Sequence, residues 1–149
     1  MIKIAIISLN AKAEILLLAQ HTEMKISHIV PSTLEQVVQQ VADLAPNIII
    51  IDHELDNISA DILCHFLNKK CPDARSIMLI EAQPSFEMLE NTGFKVQGFL
   101  TTEQRPLLAK AIRVVHDGEA WLPRKLVTEM LNQFSKSVIN TAAPQLSVV

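Results

Sequence analysis

Short unbroken runs of β-branched apolar residues alternate along this chain with stretches whose apolar residues recur at helical intervals. Residues 2 to 8, IKIAIIS, read as a strand buried on both faces of a parallel sheet. Asn10 can cap a helix carrying Ile15, Leu16, Leu18 and Ala19 and ending near His21, before a second strand from Ile26 to Val30. Ser32 and Glu35 have capping-box spacing, and Leu34, Val37, Val38, Val41 and Leu44 follow on one helical face until Pro46. Asn47 to Ile51 form a third apolar strand that ends abruptly in Asp52. Residues 59 to 70 predict a helix with Ile62, Leu63, Phe66 and Leu67 inward, stopped by Pro72. A strand at Ser76 to Ile80, a short helix at Pro84 to Asn91, a strand at Val96 to Leu100 and a helix from Leu107 to His116, ended by Gly118, complete the alternation.

Strictly alternating strands and helices require right-handed crossovers and a parallel sheet covered on both faces. The expected fold is therefore α/β and flavodoxin-like (CheY-like): a doubly wound five-stranded parallel sheet of order 2-1-3-4-5. A barrel would need about 250 residues, and the chain has 149. Beyond Gly118, Pro123 can open a sixth helix with Leu126, Val127, Met130, Leu131 and Phe134 on one side. The division expected is residues 1–118 as the main domain, 119–135 as a C-terminal helical extension, and 136–149 as a linker or tail.

Composition narrows the class. Apolar residues make up 49% of the chain, but no run approaches the roughly 20 residues of a spanning helix. The N-terminus lacks a signal-peptide cleavage pattern, so a cytoplasmic location is expected with no membrane partner. Cys64 and Cys71 are expected as thiols, and their spacing with His65 fits no common zinc pattern. The net charge of -3 lacks the basic footprint of a phosphate-gripping module, and with 4% aromatics and no tyrosine there is no stacking platform for single strands. The histidines His21, His28, His53, His65 and His116 are scattered, without metal-binding helical spacing.

In an open α/β sheet, chemistry gathers outside the carboxyl ends of the strands, which places Ser8, Asp52, Ile80 and the residues after Leu100 together. A carboxylate there can be a nucleophile toward phosphoryl groups if a cation offsets the phosphate charge and donors hold its oxygens. The blocks NIIIIDHELDNISADIL, PDARSIMLIEA and GFLTTEQRPLLAKAIRVVHDGEAWLPRKL resemble successive segments of receiver domains in NarL/LuxR-type response regulators, over about residues 1 to 135. The resemblance puts Asp52 at the phosphoacceptor position.

The departures from that family shape the functional expectation. Ser8 and Leu9 stand where the family has two acidic residues that hold a divalent ion, so Mg²⁺ is not expected to bind well. Ile80 replaces the hydroxyl residue ending strand four, Thr102 replaces the lysine after strand five, and Phe99 keeps the aromatic switch position without a hydroxyl. Asp52 then reads either as a structural carboxylate or as a phosphoacceptor served by Glu54, Asp56 or Glu81 instead of the missing pair.

The tetrad Trp121, Leu122, Pro123, Arg124 is similar to a Trp-to-Arg motif that binds cyclic di-GMP at a dimer interface in some receivers, with Pro123 in place of a hydroxyl residue. The same turn serves as packing in others. Leu146 and Ser147 resemble the first two residues of the segment opening a LuxR-type helix-turn-helix. The resemblance as a whole implies a non-enzymatic, atypical receiver that regulates transcription through protein contacts or homodimerisation. DNA would be reached only through a domain outside this chain, with a sensor kinase or another regulator as a further partner. A cyclic di-GMP sensor and a conventional phosphorelay receiver are the alternatives.

Overall fold

The computed structural model describes residues 1–148, and the surroundings of side chains for residues 1–137. The strands are β1 (Ile2–Ile7), β2 (Met24–Ile29), β3 (Ile48–Asp52), β4 (Arg75–Leu79) and β5 (Val96–Leu100). The helices are α1 (Lys12–Leu18), α2 (Leu34–Leu44), α3 (Ala60–Lys70), α4 (Phe86–Asn91), α5 (Leu108–His116) and α6 (Arg124–Val148). A 3-10 turn, Thr102–Leu107, joins β5 to α5. All strand pairs are parallel and the sheet order is β2-β1-β3-β4-β5, the flavodoxin-like, doubly wound arrangement expected.

Because successive strand residues point to opposite faces, the apolar runs build two cores at once. Ala5, Ile7, Ile49, Ile51, Met78 and Phe99 face α2, α3, α4 and the start of α6. Ile4, Ile6, Ile48, Ile50, Ile77, Leu79 and Leu100 face α1 and α5. Every residue from Ile48 to Ile51 is essentially inaccessible, which is why that run lacks polar alternation. Cys64 and Cys71 are free thiols. Burial pushes the Cys64 thiol up to about 11, so it behaves as a small apolar core residue.

The edge beyond β5 is closed by the turn after α5. Trp121 N–H donates to Gln97 O at 2.9 Å, and Phe99 N–H donates to Trp121 O at 2.9 Å. This bridge brings Trp121 against Gly98, where a Cβ would lie 3.2 Å from Ile77 Cγ1 and 3.3 Å from Val115 Cγ2. Next to it α6 seats Leu126 in the core and reaches α4. Glu129 Oε2 accepts from Phe86 N–H at 3.0 Å, placing a carboxylate at the first turn of α4. The rings of Phe86, Phe94 and Phe134 meet at centroid distances of 5.7, 5.9 and 6.1 Å.

Several local expectations shift. The buried positions of α1 are Glu14 and Leu18, while Leu16 is exposed. In α3 the buried stripe is Ala60, Leu63, Cys64 and Leu67, leaving Ile62 and Phe66 outside. The small Ala60 and Cys64 let that helix approach the sheet, so bulk was the wrong guide to its inner face. Helix α2 is capped by Thr33, whose side chain accepts from Gln36 N–H at 3.2 Å, and not by Ser32. Pro106 falls inside the 3-10 turn, and α5 begins at Leu108. Val127, Leu131 and Phe134 are largely exposed where one inward face of α6 was expected. Residues 136 to 148, expected as a linker or tail, continue α6. The side chains of Leu146 and Ser147, and Val149 altogether, lie outside the described residues.

At the opposite end of the sheet, Arg113 of α5 clamps the turn before β2. Its Nε donates to Glu23 Oε1 at 3.1 Å and its Nη2 reaches the same oxygen and His21 Nδ1. The Arg113 guanidinium holds the Glu23 carboxyl below the usual carboxylate range.

Two predictions follow from these contacts. Gly98→Ala should lower stability by about 1–3 kcal/mol in urea denaturation, since both nearest neighbours are packed side chains. A depressed folded-state pKa stabilises above the unfolded value, about 4.3 for glutamate, and that stabilisation is lost as pH falls through the folded value. The melting-temperature gap between the wild type and Glu23→Gln should therefore be full near pH 6 and shrink as the pH falls below the ordinary glutamate range.

Candidate functional site at the mouth of the sheet

β1 and β3 lie side by side with Ile7 opposite Ile51, so their next residues, Ser8 and Asp52, emerge together at the carboxyl end of the sheet. Ser8 is buried and Asp52 half-buried. Ser8 Oγ lies 3.2 Å from Asp52 Oδ2 and 3.1 Å from Asn10 O. A hydroxyl has one proton, so it donates to one of these acceptors or shares it between them. Asn10 N–H donates back to Ser8 Oγ at 3.2 Å, folding the β1–α1 turn over the serine.

The other carboxylate oxygen, Asp52 Oδ1, accepts from Glu54 N–H at 3.0 Å. That is the Asx-turn geometry by which an aspartate organises its own loop. His28 Nε2 lies 2.8 Å from the Ser8 carbonyl, and because a carbonyl only accepts, Nε2 carries the proton. His28, one of the scattered histidines, thus pins the serine from β2.

The remaining candidates take different places around the mouth. Leu79 pairs with Asp52 across β3 and β4, so Ile80 stands at the rim, 3% exposed and part of the core. Leu9 is 44% exposed and presents an aliphatic surface where a second carboxylate was the family expectation. Thr102 is exposed in the 3-10 turn, and its neighbour Thr101 is buried, its N–H donating to Gln104 Oε1 at 3.2 Å. Phe99 is fully buried, with its ring in the α3–α4 core. Glu54, Asp56 and Glu81 are exposed, and Glu54 pairs at 3.8 Å with His53 Nδ1.

These groups fit a divalent cation poorly. Such an ion needs a cage of oxygen ligands with enough negative charge to repay its dehydration. Here the donor set is one carboxylate already engaged by two donors and one neutral hydroxyl. Among the described residues, no three of His, Cys, Asp and Glu gather closely enough to hold a metal ion.

Trp121 and Arg124 are not brought to this mouth. Trp121 is half-buried against the α5 core and fixed through its backbone to β5, while Arg124 is exposed at the start of α6. A charged pair that the sequence reading overlooked does border the mouth: Arg105 Nη1 meets Glu14 Oε1 at 2.6 Å. Its signal was present, since Glu14 falls with Ala11 and Leu18 on the buried stripe of α1, where a carboxylate needs a partner. Among the described residues, no helix is long and apolar enough to cross a membrane.

No protein-family model and no curated protein matches the sequence. The fold, however, superposes on solved receiver domains. A LuxR-family two-component response regulator from Aurantimonas shares 13% identity at a TM-score of 0.75, covering 91% of this chain and 99% of its own. The isolated REC domain of RcsB from Salmonella enterica serovar Typhimurium, in its apo form, shares 14% at 0.73, covering 89% and 99% respectively. The response regulator domain of Thermotoga maritima CheB shares 18% at 0.66, covering 80% and 98%. The chain therefore has the receiver fold, with the five-stranded order and the extra C-terminal helix.

Restoring a carboxylate at the mouth tests its electrostatics. Ser8→Asp puts a second negative charge at a buried position against Asp52 and should destabilise the protein by about 1–3 kcal/mol at neutral pH. Millimolar Mg²⁺ should recover part of that loss in the variant and leave the wild-type melting temperature unchanged.

Proposed function

We propose that this chain is an atypical, non-enzymatic receiver domain of a LuxR/NarL-type response regulator, acting through protein contacts or dimerisation and not through phosphorylation of Asp52. The observation that carries the reading is the engagement of Asp52: one oxygen takes the Ser8 hydroxyl and the other the Glu54 N–H. Phosphoryl transfer to a carboxylate requires cationic neutralisation of the incoming charge, and the groups hydrogen-bonded to Asp52 are both neutral. Leu9, Ile80 and Thr102 contribute no charge at the rim.

Similarity to a LuxR-family regulator supports transcriptional control as the setting, with DNA contacted by a domain outside this chain. A homodimer would place two such domains on adjacent half-sites. The domain would work in the cytoplasm, where a partner regulator, or a kinase contacting the surface without transferring phosphate, could set its state.

The reading is tested by intact-mass measurement after incubation with acetyl phosphate and Mg²⁺. The wild type should keep its unmodified mass. One added phosphate on the wild type, absent from Asp52→Asn, would establish the conventional phosphorelay alternative instead.

A further inference from the structure

We propose that the Glu14–Arg105 ion pair is a latch that fixes the segment from Thr101 to Leu108 beside the mouth, and that its release is what frees this edge of the sheet. Glu14 stands in the first turn of α1, shortly after the Ser8–Asn10 turn that folds over the serine beside Asp52. Arg105 stands in the 3-10 turn directly after β5. Their contact at 2.6 Å joins residues 91 positions apart and connects the two loops flanking the strand ends. Apart from this pair, the 3-10 turn is held by short-range bonds such as Gln104 N–H to Thr101 O at 3.0 Å.

The pair is both buried and half-used. The Glu14 side chain is 6% exposed and that of Arg105 22%. Among the described residues, Glu14 Oε2 and Arg105 Nε are buried and meet no hydrogen-bond partner, although a guanidinium and a carboxylate can meet through two parallel bonds. Breaking the single bond forfeits one strong contact, but it returns two unpaired buried atoms to water, which lowers the cost of opening. The proposed latch has a closed and a released state, and a ligand or protein that binds one of them better shifts the balance. The latch rests on the phosphate-independent reading of Asp52, for which it supplies a movable part.

Amide hydrogen exchange of the full chain reads the latch directly. In Glu14→Gln, exchange of the Gln104, Arg105, Leu107 and Leu108 amides should accelerate about tenfold or more, while those of Ile48 to Ile51 keep the wild-type rate. Arg105→Lys, which keeps the charge but loses the fork, should give a smaller increase in the same segment and serves if Glu14→Gln does not fold. Unchanged exchange in the segment, or an equal acceleration throughout the protein, would overturn the latch. Phosphorylation of wild-type Asp52 would overturn the phosphate-independent reading whatever the exchange shows. An unmodified Asp52 with unchanged exchange would remove the latch alone.

Discussion

A parallel sheet covered on both faces leaves its polar groups one outlet, and the rest of this structure depends on how that outlet is closed. The side chains of Ile48 to Ile51 have no access to solvent on either side, so Asp52 is the first residue of β3 that can carry charge. Charge at such a position must be met locally, because a bare carboxylate beside the core is costly. The chain meets it with a neutral hydroxyl from β1 and a backbone donor from the following loop. His28 and Asn10 then hold the serine in place. The single carboxylate at this mouth is met by neutral donors, a hydroxyl and a backbone N–H, with no ionic partner paired to it.

The ionic contact lies beside this closure and not within it: Glu14 of α1 pairs with Arg105 of the 3-10 turn, so the loops flanking the mouth are joined by charge while the mouth itself is not. Along β5 itself, Trp121 and α6 finish the sheet: the indole-bearing turn pairs with β5, and Glu129 with the phenylalanine cluster binds α6 to α4. The Trp121 turn and α6 act through packing and hydrogen bonds to fixed elements, without charge at the mouth.

The fold was legible because the strand runs are unmixed and bounded by Pro46, Pro72 and Gly118, which set strand count and order together. Helix faces were less legible. In α1 four neighbouring residues, Ile15 to Leu18, are all apolar, so periodicity could not choose the phase, and in α3 the small Ala60 and Cys64 occupy positions that bulkier residues seemed to claim. At the site, the positions of Ser8, Asp52 and Ile80 follow from where β1, β3 and β4 end. Strand ends could not reveal His28 or the Glu14–Arg105 pair, because those contacts depend on the register of β2 against β1 and on the packing of α1 beside α5. A lone acidic residue within an apolar helical stripe was the available clue.

The central claim is that the mouth around Asp52 is already settled without phosphate. Its most direct test is an amide NMR titration of the wild type with the phosphomimetic BeF₃⁻ in the presence of Mg²⁺. The account predicts no saturable shift at Ser8, Asp52, Glu54, Ile80 or Thr102. A saturable shift centred on those residues, abolished in Asp52→Asn, would contradict it.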